Sequence, residues 1–295
     1  MNILVTGCSG FIGKAILEEY HSNLFGIDLS DIISDINFFK GDIRDSEFLE
    51  KVFANNSIDV VIHLAARAGV RPSLLNPLEY VSTNVGGTVN ILNYMQKYNV
   101  PKIVFASSSS VYGNSDILPF REDMQNLVQI SPYACSKKTA EEFIKTYSKL
   151  YGIKAVCLRF FTVYGPNQRE DLAIHKFAKS ILNERPITMY GDGNSTRDYT
   201  YITDIVDGIK RAVEYDKTDF EIINLGSSHP IALKNMISTL EKALGKQAKI
   251  IQLPMQAGDV MNTYADISKA KELLGYEPKV SFEEGIRRFV ESLKR

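Results

Sequence analysis

Short apolar runs alternating with helical patterns constrain this chain more than any other feature. "NILVTG" (2–7), "LFGID" (24–28), "VVIHLAA" (60–66), "KIVFASS" (102–108) and "KAVCLRFF" (154–161) are nearly continuous in Val, Ile, Leu and Phe. Strands covered on both faces have that composition. Helical patterns fall between them at about 11–20, 46–55, 76–98 and 132–150. The alternation predicts an α/β fold, a doubly wound parallel sheet of Rossmann type with helices on both faces. "FEIINLG" (220–226) reads as one further strand. After about residue 165 the rhythm loosens, with Pro166, Pro186, Pro230, Pro254 and Pro278 punctuating shorter elements. The 295 residues suit one large or two ordinary domains. We expect a first domain over 1–165, to which segments near 198–225 return, and a smaller α/β domain over 166–295.

"VTGCSGFIGKAIL" places Gly7, Gly10 and Gly13 directly after the first strand and into the first helix. Glycines there permit a tight turn and let a pyrophosphate approach amides at the helix N-terminus, where the dipole favours anions. Asp28 ends the second strand about 20 residues on, the position of a carboxylate that binds a ribose 2′-hydroxyl. It would repel a 2′-phosphate, so NAD is expected rather than NADP. Asp42 and Ile43, in "GDIRD" after the third strand, are candidate contacts to an adenine edge, although Asp42 also suits a plain turn.

"SPYACSKKTAEEF" (131–143) opens like a helix, with Ser131 suited to the N-cap and Pro132 to the first helical position. Tyr133 and Lys137 then share a face one turn in. A free phenol ionises near pH 10, so lowering it to neutrality takes about 4 kcal/mol of preference for phenolate. One cation at about 4 Å in a shielded site supplies energy of that order. Lys137 is such a cation, and an oxidised nicotinamide would be another. "FASSSSVYG" ends its strand in Ser107 to Ser110, at the edge where open α/β sheets bind ligands. A serine there can hold a substrate oxygen for proton transfer to the tyrosine.

Composition excludes several classes. The formal net charge is -1, so no basic bias points to nucleic acid or an anionic membrane. Cys8, Cys135 and Cys157 have no paired or metal-like spacing, and no metal is expected. "MNILVTG" runs straight into a strand pattern and no apolar run nears the roughly 18 residues of a membrane span. A cytoplasmic location is expected. His63, inside a strand pattern, reads as a buried histidine rather than an acid or base. His175 falls on a helix and reads as structural or exposed.

"TGCSGFIG", "HLAARAGV", "SSSSVYG", "YACSK" and "RFFTVYGP" occur in the order seen in extended short-chain dehydrogenases/reductases. The chain resembles the nucleotide-sugar epimerase/dehydratase group over nearly its whole length. That resemblance implies bound NAD, a C-terminal nucleotide-sugar domain and a homodimer packed through the helices near 76–98 and 132–150. It assigns catalysis to Ser108, Tyr133 and Lys137. Cofactor contacts would come from Gly7, Gly10, Phe11, Ile12, Gly13, Asp28, Asp42, Ile43, Leu64, Ala65 and Ala66, with Tyr133 and Lys137. "MYGDGNSTRDYTYITDI" is similar to the family's diphosphate segment, making Arg197 a diphosphate ligand. Met189 and Tyr190 would line a uracil pocket, and Gln256 and Asp259 would touch the nucleoside.

Within this group, dehydratases carry an acidic pair and decarboxylases a glutamate just after the catalytic Ser/Thr. Ser109 and Ser110 stand there instead, and neither can deliver a proton as a carboxylic acid. Epimerisation at C4 remains: oxidation, rotation of the 4-keto sugar and re-reduction on its other face. "RAGVRPSLLNP", "RFFTVYGPNQRED" and "PMQAGDV" resemble UDP-glucuronate 4-epimerases most. Arg169, seven residues after Thr162, could then clamp a C6 carboxylate, with Ser109, Ser110 and Thr162 as neutral donors and Arg71 as a second cation. UDP-glucose or UDP-N-acetylglucosamine epimerisation is the alternative. A nucleotide-sensing protein without catalysis would be expected to lack the tyrosine or the lysine.

Overall fold

The computed structural model describes residues 1–20, 23–32, 35–254 and 260–294. Its strands are β1 (Asn2–Thr6), β2 (Asn23–Asp28), β3 (Asn37–Lys40), β4 (Val60–His63), β5 (Lys102–Ser108), β6 (Lys154–Phe160), β7 (Thr162–Tyr164), β8 (Ile187–Tyr190), β9 (Thr196–Tyr201), β10 (Phe220–Leu225), β11 (Pro230–Ala232) and β12 (Ile250–Leu253). Among the described residues, seven strands form one sheet in the order β10-β6-β5-β4-β1-β2-β3. Every pairing in it is parallel. The apolar runs earn their place there: β4 and β5 are buried at every residue and β6 at all but its first.

Helices cover both faces, as the alternation predicts. On one side α1 (Phe11–Glu19) and α8 (Ile202–Glu214) bury Ile16, Ile205 and Ile209 against the sheet. On the other, α2 (Ser46–Asn55), α5 (Gly87–Lys97) and α6 (Pro132–Tyr151) bury Leu49, Leu92, Met95 and Ile144. Each such side chain contributes about 1.5–3 kcal/mol on leaving water. Four strand ends come earlier than predicted, those of β1 and β10 by one residue each. β4 stops at His63 because residues 64–66 turn across the glycine loop, and β6 stops at Phe160.

The helix expected over 76–98 is interrupted. The short helices α3 (Val70–Leu75) and α4 (Pro77–Tyr80) lead into a π-helical turn, Val81–Gly86, before α5 begins. The widened turn swings Asn84 inward. Its side chain accepts from the amide of Arg67 (2.7 Å) and donates to the Arg67 carbonyl (3.0 Å) and to Ser136 Oγ (2.9 Å). Such turns recur beside functional sites.

In the second half, β7, β9 and β11 form a small sheet and β8 pairs with β12. With α7 (Ala173–Leu182), α9 (Leu233–Leu244) and α11 (Phe282–Ser292) they enclose a separate core around Tyr164, Ile174, Phe177 and Ile286. The return to the large sheet begins at α8 and continues through β10, and α10 (Ser268–Leu274) joins the same side. Asp198 clips these parts together. Its buried carboxylate accepts from the amides of Ser227 (2.7 Å), Ser228 (3.0 Å) and Ala265 (3.1 Å) and from Ser227 Oγ (2.8 Å). Asp198→Ala orphans three amide donors at once, each costing about 1–3 kcal/mol when buried. The urea midpoint of the variant is expected to fall by the equivalent of at least about 3 kcal/mol, and an unchanged midpoint would contradict the clip.

Candidate active site

The carboxyl ends of β1 and β4 meet where the strand order reverses, the ligand crevice of a doubly wound sheet. Gly7 turns the chain there with φ +74°, and a Cβ on it would lie 2.7 Å from the Ala65 nitrogen. Gly13 is equally committed, since its Cβ would meet the Gly7 carbonyl at 2.3 Å. Gly10 is the N-cap of α1 and supplies no side-chain cap to its first amides. Asp28 accepts from the amides of Ser9 (2.9 Å) and Ser30 (3.1 Å), shaping the loop while it faces the crevice. Gly7, Gly10, Asp28, Asp42, Ile43, Leu64, Ala65 and Ala66 line one cavity of about 300 Å³. Asp42 is tied to Arg44, whose guanidinium and amide donate to it and hold its carboxyl below the usual range. Its carboxylate is therefore engaged within the loop before any adenine edge arrives.

A wider cavity of about 850 Å³ continues from the same glycines. Phe11, Ile12 and Gly13 form one wall, and Ser108, Tyr133, Lys137, Thr162 and Arg169 face them. Local geometry brings the catalytic candidates here. Ser131 Oγ accepts from the Ala134 amide at 3.1 Å and starts α6 where the sequence places it. Ser108 is the last residue of β5.

The electrostatics differ from the expectation in one respect. Lys137 is 4% exposed, donates to the Ala106 carbonyl at 2.7 Å and lies 4.8 Å over the Phe105 ring. Burial lowers its pKa to about 8. Tyr133 is pushed above the ordinary tyrosine value by burial, while a hydrogen bond with Ser108 and the Arg169 charge pull it back. The cation that offsets burial at the phenol is Arg169. The long lysine stem carries its ammonium past Tyr133 to the strand beneath, a reach that helix spacing does not reveal.

His63 is buried between Thr6 Oγ1 (2.7 Å) and Thr88 Oγ1 (3.0 Å), and burial followed by the Lys137 charge lowers its pKa to about 3. It is a neutral strut. His175 is partly buried, with its Nδ1 3.2 Å from the Gln168 carbonyl and its ring edge-on to Phe289. No metal-like cluster of His, Cys, Asp or Glu occurs among the described residues.

A third cavity, about 320 Å³, adjoins through Thr162, Val163 and Leu172 and is lined by Arg71, Tyr190 and Arg197. The Arg71 guanidinium lies 5.8 Å over the Tyr190 ring. Arg197 donates to the carbonyls of Thr196 (2.8 Å) and Met261 (3.2 Å). Met189 is not on this wall. Side chains alternate along β8, so Thr188 and Tyr190 line the cavity while Met189 packs on the small core. Ser109 and Ser110 sit in a 3₁₀ turn, Ser109–Tyr112, where the Ser110 amide donates to Ser108 Oγ (3.2 Å) and the two hydroxyls are 3.1 Å apart. Ser110 supports Ser108, and neither Ser109 nor Ser110 lines the cavity. Arg169 is held by Asp171 through two contacts of 2.9 and 2.5 Å. Gln256 and Asp259 lie outside the described residues.

The profile of the NAD dependent epimerase/dehydratase family matches residues 3–226. The chain belongs to that family. It is 43% identical to the UDP-glucuronate 4-epimerase of Thermodesulfobacterium geofontis, over 97% of this chain and 94% of the relative. Among solved structures it resembles the Bacillus cereus UDP-glucuronic acid 4-epimerase in complex with UDP-glucuronic acid and NAD, with TM-score 0.92, 36% identity and coverage of 100% and 99%. A UDP-glucose 4-epimerase with UDP-glucose from Thermotoga maritima aligns with TM-score 0.95, 32% identity and the same coverage.

The family's cofactor is NAD, and the crevice fits it. Two glycine positions have no room for a Cβ, and one buried hydroxyl on the wall, Thr83 Oγ1, has no hydrogen-bond partner among the described residues. Two residues beside this site were not legible in advance: Asn84 and Glu141. Their only cue is a polar side chain at an inward-facing position. Gly13→Ala drives a methyl into the Gly7 and Cys8 backbone. The purified variant is expected to carry less than about a tenth of the wild-type NAD per chain, read by extraction and absorbance. Full NAD content would contradict the cradle.

Proposed function

We propose that this family member is a nucleotide-sugar 4-epimerase that interconverts UDP-glucuronate and UDP-galacturonate. One arrangement carries the reading. Arg169 and Thr162 stand in the same cavity as Ser108 and Tyr133, and no acidic side chain replaces Ser109 or Ser110. Asp171 illustrates how the guanidinium can hold a carboxylate through paired contacts. A C6 carboxylate taking that role keeps a 4-keto uronate, which is a β-keto acid, from the geometry that loses CO2.

When bound, NAD supplies reversible hydride exchange with the sugar. The chain supplies the rest. Arg197, with Tyr190 and Arg71 beside it, anchors the nucleotide diphosphate at the small cavity. Ser108 accepts or donates at the C4 oxygen and fixes its distance from Tyr133. The phenolate of Tyr133 takes the C4 hydroxyl proton and later returns it to the opposite epimer. Lys137 and Arg169 contribute the positive field that this ionisation needs. Thr162 marks the passage between the cavities.

We also propose a homodimer. Leu75 and Leu78, each 81% exposed, lie on α3 and α4. Phe143, Leu150 and Tyr151 are exposed on α6, which contacts both helices. A second copy of the chain is the occupant this face fits. Residues 1–165 with the returning α8 and β10 would form the cofactor domain and the remainder the sugar domain. A cytoplasmic location agrees with three unpaired cysteines and with no described helix long and apolar enough to cross a membrane.

The test is incubation with UDP-glucuronate or UDP-glucose without added NAD, with products separated by C4 configuration. Turnover of UDP-glucuronate is expected. Faster turnover of UDP-glucose would favour the neutral-sugar reading to which the Thermotoga maritima likeness points. Arg169→Ala is expected to slow both sugars through its effect on Tyr133, and to lower kcat/KM on UDP-glucuronate by about 10–100-fold more than on UDP-glucose, the loss of one charge-assisted contact. Equal effects on both sugars would remove the carboxylate clamp.

A further inference from the structure

Behind the reacting groups lies a buried ion pair that the mechanism does not use. Glu141 and Arg159 are each 1% exposed. Arg159 donates to both carboxylate oxygens, Nε to Oε1 at 2.9 Å and Nη2 to Oε2 at 2.8 Å. Ser107 Oγ donates to Oε1 at 2.6 Å. Lys138 reaches Oε2 at 3.4 Å, and the guanidinium stacks 4.8 Å over the Tyr112 ring. Among the described residues Arg159 Nη1 makes no geometric hydrogen bond, a cost to a buried guanidinium.

The position of this pair is specific. Glu141 follows Lys137 by four residues and Tyr133 by eight, one face of α6. Ser107 immediately precedes Ser108 on β5, and Arg159 stands opposite Ser107 on β6. The carboxylate therefore ties together α6 and β5, which present the reacting side chains, and the neighbouring strand β6.

We propose that Glu141 is a positioning residue: it fixes the register of α6 on the ends of β5 and β6 and gives the buried Lys137 its counter-charge. This rests on reading Tyr133, Lys137 and Ser108 as the reacting groups. The titratable groups facing Lys137 are Glu141 on its own helix, His63 on β4 and Cys157 on β6, with Arg159 of β6 behind Glu141. His63 is neutral, and burial pushes the Cys157 thiol far up. Burial opposes ionisation of Glu141, but Arg159 and Ser107 hold its carboxyl below the usual range. Of these groups, Glu141 is the negative charge at neutral pH.

Two variants separate register from charge. Glu141→Asp keeps the charge balance but shortens the tether. The double variant Glu141→Gln with Arg159→Met removes both charges, so neither is left buried alone. The C4 epimerisation of UDP-glucuronate is followed against pH for both, for wild type and for Tyr133→Phe, with circular dichroism and NAD content as controls. Glu141→Asp should lose roughly 10-fold or more in kcat with its alkaline limb in the wild-type place. The double variant should move that limb to lower pH by about 1 unit, because Lys137 loses its proton sooner. A folded, NAD-loaded double variant whose limb has not moved, or a Glu141→Asp enzyme at wild-type kcat, overturns the proposal. Should the double variant fail to fold, Ser107→Ala with normal kcat overturns the register claim, and reduced kcat supports it. Full activity in Tyr133→Phe instead removes the catalytic reading itself.

Discussion

The packing of one helix across the end of one strand is the contact on which this site stands. α6 lies against β5 so that Lys137 reaches the Ala106 carbonyl and Tyr133 reaches the cavity at Ser108. Sliding α6 by one residue would turn its inward face by about 100° and carry Tyr133 and Lys137 away from Ser108 and Ala106. A fully buried strand and a helix capped at both ends, by Ser131 and by Gly152 in the left-handed conformation, leave little freedom for such a slide.

That docking also explains an apparent conflict in the electrostatics. The same burial that excludes water from the phenol makes it harder to ionise, and makes the neighbouring ammonium easier to neutralise. The protein opposes both tendencies with fixed partners. Ser108 and Arg169 act at the phenol, and Glu141 acts at the ammonium. On the proposed function Arg169 would have two tasks, favouring phenolate and meeting a substrate carboxylate, which would link sugar recognition to proton transfer within one cavity.

Much of this was legible in the sequence, for identifiable reasons. Apolar runs longer than an alternating strand requires gave the parallel sheet, and Ser131-Pro132 gave the start of α6 within a residue. Gly7, Gly10 and Gly13 were readable because a tight turn and a close approach leave a one-letter trace. Features set by three-dimensional reach were not. The π-helical turn at Val81–Gly86 is invisible to a helical pattern, and the face on which Met189 falls depends on where β8 begins. The partner of Lys137 is a backbone carbonyl, which no side-chain motif encodes. No motif marks Asp171, two residues beyond Arg169, as the carboxylate that meets the guanidinium.

On the proposed function, Tyr133 becomes ionisable near neutrality once the cavity holds its cofactor. Near-ultraviolet difference titration of NAD-loaded protein against loaded Tyr133→Phe measures it most directly. One phenolate appearing at roughly pH 7, absent from the variant and displaced upward when NAD is stripped, is the predicted result. A difference spectrum without any phenolate until the range of an ordinary tyrosine, about pH 10, would contradict it.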